Sequence, residues 1–254
     1  MKGSRNPPGL LRSAWTLLRK DLLIEWRTKA RLNSLIFFSL ATLLLFSFAL
    51  GPDTALLRQN AGGYLWLGIL FASVLSLGES FRIESENASL DGLRLAPVDP
   101  RAIFLGKALG NTLLLFLLGW VLIPVIVAIY DVRLGTDVVL GLPGMRPEQL
   151  TEGAALGTRL LDLAVVLALG CLAISAPGTI YSAIANNARA RDVLLPLLLF
   201  PLIIPSLLAA TKATALVLGG DPMGQLNSWL ALLCAFDVIY WGLGFVLFPR
   251  VVED

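Results

Sequence analysis

Six stretches of this sequence are too long and too apolar for the interior of an ordinary soluble domain. They run over Leu32–Leu50, Ala61–Gly78, Ala102–Tyr130, Leu160–Ile184, Val193–Ala210 and Trp229–Pro249. Crossing a bilayer as a helix takes about 20 mostly apolar residues. Inside lipid every backbone N–H and C=O must find a partner, which a helix provides within its own segment. The sequence therefore predicts an all-α, polytopic membrane protein with six transmembrane helices in a single membrane domain, residues 1–254. Only 15% of residues are charged, against roughly 25% in soluble domains. The chain has no histidine and two cysteines, Cys171 and Cys234, both within apolar runs. Ser/His and Cys/His catalytic pairs, the common zinc sets and a histidine-ligated haem are thereby excluded within this chain. No catalytic residue, metal ligand or disulfide framework is expected.

Orientation follows from lysine and arginine, which accumulate on the cytoplasmic side. With the N-terminus inside, fifteen of the twenty fall at inside positions and five outside: Arg58, Arg133, Arg146, Arg159 and Lys212. Both termini are expected in the cytoplasm. Ahead of the first span, Leu10–Arg31 places Leu11, Trp15, Leu18, Leu22 and Trp26 at three- and four-residue steps, with Arg12, Arg19, Lys20, Arg27 and Arg31 mostly off that stripe. This is the pattern of an amphipathic helix lying in the membrane interface. Asp131–Arg159 reads as an outer loop, with Pro147-Glu148-Gln149 opening a short helix. Thr211–Ser228 is too polar to span and reads as a short outer excursion.

Between the second and third spans lies the most charged part of the chain. Gly78–Lys107 holds nine formal charges. Arg82, Glu84, Glu86, Asp91 and Arg94 interleave with Ile83, Leu90, Leu93 and Leu95, and Ala96-Pro97 and Asp99-Pro100 end any helix before the third span. The segment 79–101 is thus expected to be a short amphipathic cytoplasmic helix followed by an elbow. On the residues alone, docking onto a soluble partner and a merely solvated loop stand equally. Asn87-Ala88-Ser89 matches a glycosylation sequon, set aside because it falls on the cytoplasmic side.

Within the membrane, Asp237 lies near the middle of the last span, where a charged carboxylate costs ~2.5–3.5 kcal/mol on insertion scales. It reads either as a conformational lock or contact to a partner helix, or as an ordinary hydrogen bond to Asn111, Thr112 or a backbone carbonyl. The ordinary bond is the expectation. Pro196, Pro201 and Pro205 in one span, Pro177 beside Gly178 in another and Pro124 in a third are candidates for helix kinks. Gly106-Lys107-Ala108-Leu109-Gly110 is a G-x-x-x-G that admits close helix approach. Lys107 is expected to snorkel to the inner surface.

Several stretches together resemble a known family. "SFRIESENASLDGLRLAPVDPRAIFLGK" (80–107), "ISAPGTI" (174–180), "LLPLLLFPLIIPSLLAA" (194–210) and "LALLCAFDVIYWGLGFVLFP" (230–249) are similar, in order and spacing, to segments of the CcmB family. These are the haem exporter protein B permeases of cytochrome c maturation. The resemblance runs from about Trp15 to Pro249. Ala88 stands where that family leads us to expect glycine, and the Gly141–Gly157 loop is long for it. The resemblance implies an ABC-2-type permease in the bacterial inner membrane, with 79–101 as the coupling helix. Arg82, Glu84, Glu86, Asp91 and Arg94 would contact a separate ATP-binding subunit, and Leu90 and Leu93 would pack into its groove. It further implies a dimeric CcmA-like ATPase, a CcmC-like haem-handling membrane protein, a small CcmD-like membrane subunit and a CcmE-like haem chaperone. Haem would be cargo, with no cofactor held by this chain's own ligands. One part stands on the sequence itself: no G-x-x-x-x-G-K-[ST] occurs, since Ala108 follows Gly106-Lys107 and Arg101 stands where the first glycine would be. ATP must then be hydrolysed in another chain. The alternatives are an ABC-2 permease for another lipid-like substrate and a non-transporting membrane scaffold. A membrane enzyme is disfavoured, because Asp162 and Asp237 stand isolated at different depths.

Overall fold

The computed structural model describes residues 9–51, 53–86, 99–130, 132, 156–186 and 191–253, with the side chains of 81–86, 156, 186, 191, 192 and 253 left aside. Among these residues all regular structure is helical, in the order α1 (Leu10–Thr28), α2 (Ala30–Leu50), α3 (Thr54–Glu86), α4 (Pro100–Ile129), α5 (Leu156–Asn186), α6 (Arg191–Gly219) and α7 (Leu226–Glu253). The last six are each long and apolar enough to cross a membrane. The chain is an integral membrane protein.

The six spans pack around a core of large apolar side chains such as Leu65, Ile69, Leu118 and Leu199, and small residues let those side chains and the backbones come close. Lipid is as apolar as leucine, so close backbone approach and interhelical hydrogen bonds must supply the attraction. Three glycines admit large side chains: a Cβ at Gly170 would stand 2.0 Å from the Trp66 ring, one at Gly178 2.3 Å from Leu77, and one at Gly244 2.2 Å from Phe104. Hydrogen bonds join further pairs of helices. Trp66 Nε1 donates to Thr214 Oγ1 at 2.8 Å, joining α3 to α6. Tyr130 Oη donates to the Leu43 carbonyl at 2.8 Å, joining the end of α4 to α2. Tyr240 Oη donates to the Leu202 carbonyl at 2.6 Å, joining α7 to α6.

The structure redraws several expected boundaries. The expected helix over Leu10–Arg31 stops at Thr28, because Lys29 takes a left-handed conformation (φ 51°) and its N–H bonds back to the Glu25 carbonyl. Glu25 Oε1 then accepts the Leu32 N–H at 2.9 Å, so one acidic residue of α1 satisfies a bare N–H at the start of α2. Arg31 consequently belongs to the first span. Beyond Gly78 the second span does not break: α3 continues to Glu86 as one helix of 33 residues, about 50 Å long at 1.5 Å per residue. The first part of the expected separate helix in 79–101 is therefore the end of α3. Residues 211–219 of the expected outer excursion are the end of α6, held by the buried Thr214, and only the short turn through Asp221 is irregular. Asp221 caps α7, accepting the N–H groups of Gln225 (2.9 Å) and Leu226 (2.7 Å). Those bonds hold its carboxyl below the usual carboxylate range. Asp99 caps α4 in the same way, accepting the Arg101 N–H at 2.9 Å, with Pro100 in the first turn. The outer loop expected over Asp131–Arg159, with its short helix at Pro147, falls almost wholly outside the described residues.

Candidate functional site

The largest polar cluster among the described side chains lies where α1 crosses the spans. Its construction starts from the G-x-x-x-G of α4. A Cβ at Gly106 would meet the Ala14 carbonyl oxygen and Leu17 Cβ at 3.0 Å, and one at Gly110 would meet Leu18 at 3.6 Å. The helix admitted by this motif is therefore α1 of the same chain. Its buried Ser13 and Ala14 lie against α4, while Leu11, Trp15 and Trp26 stay exposed on the opposite side.

Seating α1 there brings Asp21 to Lys107. Lys107 Nζ lies 3.3 Å from Asp21 Oδ2 and donates to the Ser80 carbonyl at 2.7 Å. The lysine is buried, with 6% of its surface exposed. The expectation that it snorkels to the membrane surface is therefore wrong: a partner inside the bundle offsets the loss of water. One turn along α4, Asn111 Oδ1 accepts from Arg31 Nη2 at 2.7 Å, and Asn111 Nδ2 donates to Ser80 Oγ at 3.4 Å. Arg31 Nη2 also donates to the Ser76 carbonyl at 2.6 Å and to Ser76 Oγ. Two cations thus bind the lower part of α3, through Ser76 and Ser80, to α1, α2 and α4. A cavity of about 20 Å³ remains between Asp21, Glu25, Arg31 and Lys107, room for about one water. The buried Arg31 Nε has no partner among the described residues. The cluster contains donors, acceptors and fixed charge, which suit it to holding helices in register.

The sequence-predicted residues fall into three groups. The backbones of Arg82, Glu84 and Glu86 lie in the last turns of α3, directly beyond this clasp; their side chains, and the whole of Leu90, Asp91, Leu93 and Arg94, lie outside the described residues. Asp237 is buried in α7 at 8% exposure, and neither carboxylate oxygen has a hydrogen-bond partner among the described residues. The expected bond to Asn111 or Thr112 does not form. The Asn111 amide is taken by Arg31 and Ser80, and Thr112 Oγ1 donates to the Ala108 carbonyl at 2.8 Å. Helices α4, α5, α6 and α7 continue through Pro124, through Pro177, through Pro196, Pro201 and Pro205, and through Pro249.

Sequence reasoning missed Arg31, Ser76, Ser80 and Asp21 as parts of one site. A signal existed. Ser76 and Ser80 are four apart on one apolar helix, and Lys107 and Asn111 are four apart on the next. Each pair therefore shares a helical face, and two polar faces in apolar helices satisfy each other most cheaply by meeting.

Comparison with known proteins sets this architecture in context. The chain matches the CcmB protein family over residues 12–143 and 155–251. It is 30% identical over 228 residues to Heme exporter protein B of Bradyrhizobium diazoefficiens, covering 90% of this chain and 91% of that protein. The corresponding protein of Rhodobacter capsulatus is 32% identical over 192 residues, 76% of this chain and 78% of its own length. That of Pseudomonas aeruginosa is 30% identical over 220 residues, 86% of this chain and 88% of its own. Matched along nearly its whole length by the family and by relatives of the same size, the chain belongs to the CcmB family.

Proposed function

We propose that this chain is the permease subunit of an ATP-binding-cassette complex that handles haem for cytochrome c maturation in the bacterial inner membrane. The observation that carries this reading is the similarity to proteins named Heme exporter protein B across about nine-tenths of both chains. Six spans and the missing P-loop accord with a membrane subunit driven by an ATPase in another chain. The lysine and arginine distribution supports a cytoplasmic position for both termini and for the end of α3.

The coupling residues are Arg82, Glu84, Glu86, Leu90, Asp91, Leu93 and Arg94. In this reading they dock on a dimeric CcmA-like subunit, whose closure on ATP pushes the end of α3. Because α3 is continuous through Glu86, a push there is delivered directly to a membrane span. The clasp of Arg31 and Lys107 then passes it to α1, α2 and α4. The CcmC-like and CcmD-like membrane subunits and the CcmE-like chaperone complete the assembly, and haem is its cargo.

The test is complementation in a bacterium lacking its own copy of this subunit, reading covalently haem-stained c-type cytochromes. Wild type restores the stain; Glu84→Lys/Glu86→Lys, inserted at equal level, does not. Another lipid-like substrate would show itself as no restoration by well-inserted wild type together with the host's partner subunits. A scaffold would show itself as restoration that persists with an ATPase unable to hydrolyse ATP.

A further inference from the structure

A second feature lies away from the clasp, between α5 and α7. Pro177, Ile180, Tyr181 and Ile184 fall at i, i+3, i+4 and i+7 along α5. Tyr240, Leu243, Leu247 and Arg250 follow one another at three- and four-residue steps along α7, with Leu202 of α6 beneath. Each set lies along one side of its helix. Together they form a trough of about 360 Å³, within the range of small-molecule sites. From Tyr240 to Arg250 it runs roughly 15 Å at 1.5 Å per residue.

The chemistry of the trough is asymmetric. Its walls are almost entirely apolar. At the inner end Tyr240 is buried, its hydroxyl committed to the Leu202 carbonyl. At the other end, in the last turn of α7, stands the Arg250 guanidinium. Among the described residues no carboxylate lines the trough and no ion pair to Arg250 occurs. Tyr181, partly exposed on the α5 wall, has no hydrogen bond among the described residues. An apolar slot with one cation at its mouth complements a molecule with a large apolar body and an anionic edge. A free phenol on the wall adds a group able to ligate ferric haem iron, as tyrosine does in catalase.

We propose that this trough is a docking site for haem, its macrocycle against Leu243, Leu247 and Ile180 and a propionate on Arg250. The proposal rests on the haem-handling reading above and gives it a place on this chain, one independent of histidine.

The experiment is a hemin titration of the full chain in nanodiscs of zwitterionic lipid, followed by Soret absorbance against empty discs. Wild type is expected to bind one hemin saturably. Leu243→Trp, which fills the slot, should weaken binding at least tenfold. Arg250→Gln, a change at an exposed position, should weaken it severalfold. Tyr181→Phe should alter the Soret and visible bands; metal-free protoporphyrin should bind wild type and Tyr181→Phe alike. Hemin uptake no greater than that of empty discs, or equal uptake by wild type, Leu243→Trp and Arg250→Gln, would overturn the proposal. So would displacement of hemin by phosphatidylglycerol at equimolar amounts, which would make the trough a lipid site. Co-purification of the ATP-binding subunit, measured on the same variants, stays intact if only the docking site is wrong and is lost already in wild type if the permease reading is wrong.

Discussion

Around Arg31 and Lys107, buried charge is surrounded by groups that answer it: the Asp21 carboxylate, the carbonyls of Ser76 and Ser80, and the Asn111 amide. Around Asp237, buried to a similar degree in α7, no hydrogen-bond donor is in place among the described residues. The first region joins four helices, and the second joins none. The difference teaches that burial alone does not separate a structural charge from a poised one. In a low-dielectric interior a satisfied polar network rigidifies what it connects, whereas an unanswered polar group costs free energy until something answers it. The clasp therefore ties α3 rigidly to α1, α2 and α4, so that they move as one, and Asp237 belongs to the part of the molecule with a contact still to make.

The largest effect should come from breaking the clasp. Arg31→Met removes hydrogen bonds made by a charged group and leaves the Asn111 amide oxygen without its donor. A loss of about 3 kcal/mol is expected, read by denaturant titration in detergent. An unchanged midpoint would mean that the clasp does not hold the frame. Next is the apolar packing on which both regions depend. Gly170→Ala drives a methyl into the Trp66 ring and should cost about 1–3 kcal/mol, visible as a lowered Tm and a shifted tryptophan emission. Asp237→Leu should go the other way, neutral or stabilising by about 1 kcal/mol in the isolated chain. A clear destabilisation there would show that Asp237 already has a partner and would erase the contrast. The smallest effect is at Asp221. Its folded-state pKa lies below the unfolded value, so its cap contributes fully above about pH 4 and is lost as pH falls through the folded value. Asp221→Asn should flatten that acid limb of the stability curve, measured by Tm between pH 5 and 3.

The spans were legible because apolar length is written directly in composition; all six expected stretches lie largely within helices of the structure. The ends were harder, for physical reasons specific to each. Lys29 stops α1 with a left-handed residue that is not glycine, so no local residue type announces it. The last turns of α3 turn charged while remaining helical, so in the sequence a change in polarity reads as a change in structure. Thr214 looks like loop chemistry until its partner Trp66, 148 positions away, is known. The clasp failed to appear for the same reason. Pairs such as Arg31 with Asn111 and Lys107 with Asp21 are tertiary, and hydropathy assigns each member separately to a surface. The G-x-x-x-G was visible in the sequence, yet that its occupant is α1 depends on the chain turning back at Lys29.

The most direct test of the account is co-purification of this chain from mild detergent with a co-expressed CcmA-like ATP-binding subunit, comparing wild type with Glu84→Lys/Glu86→Lys at equal membrane insertion. The account predicts that the ATPase follows wild type and is lost from the double variant. Absence of the ATPase from wild type, under conditions that preserve a known complex of this kind, would contradict the permease reading; equal recovery with both would contradict the assignment of those two carboxylates at the end of α3.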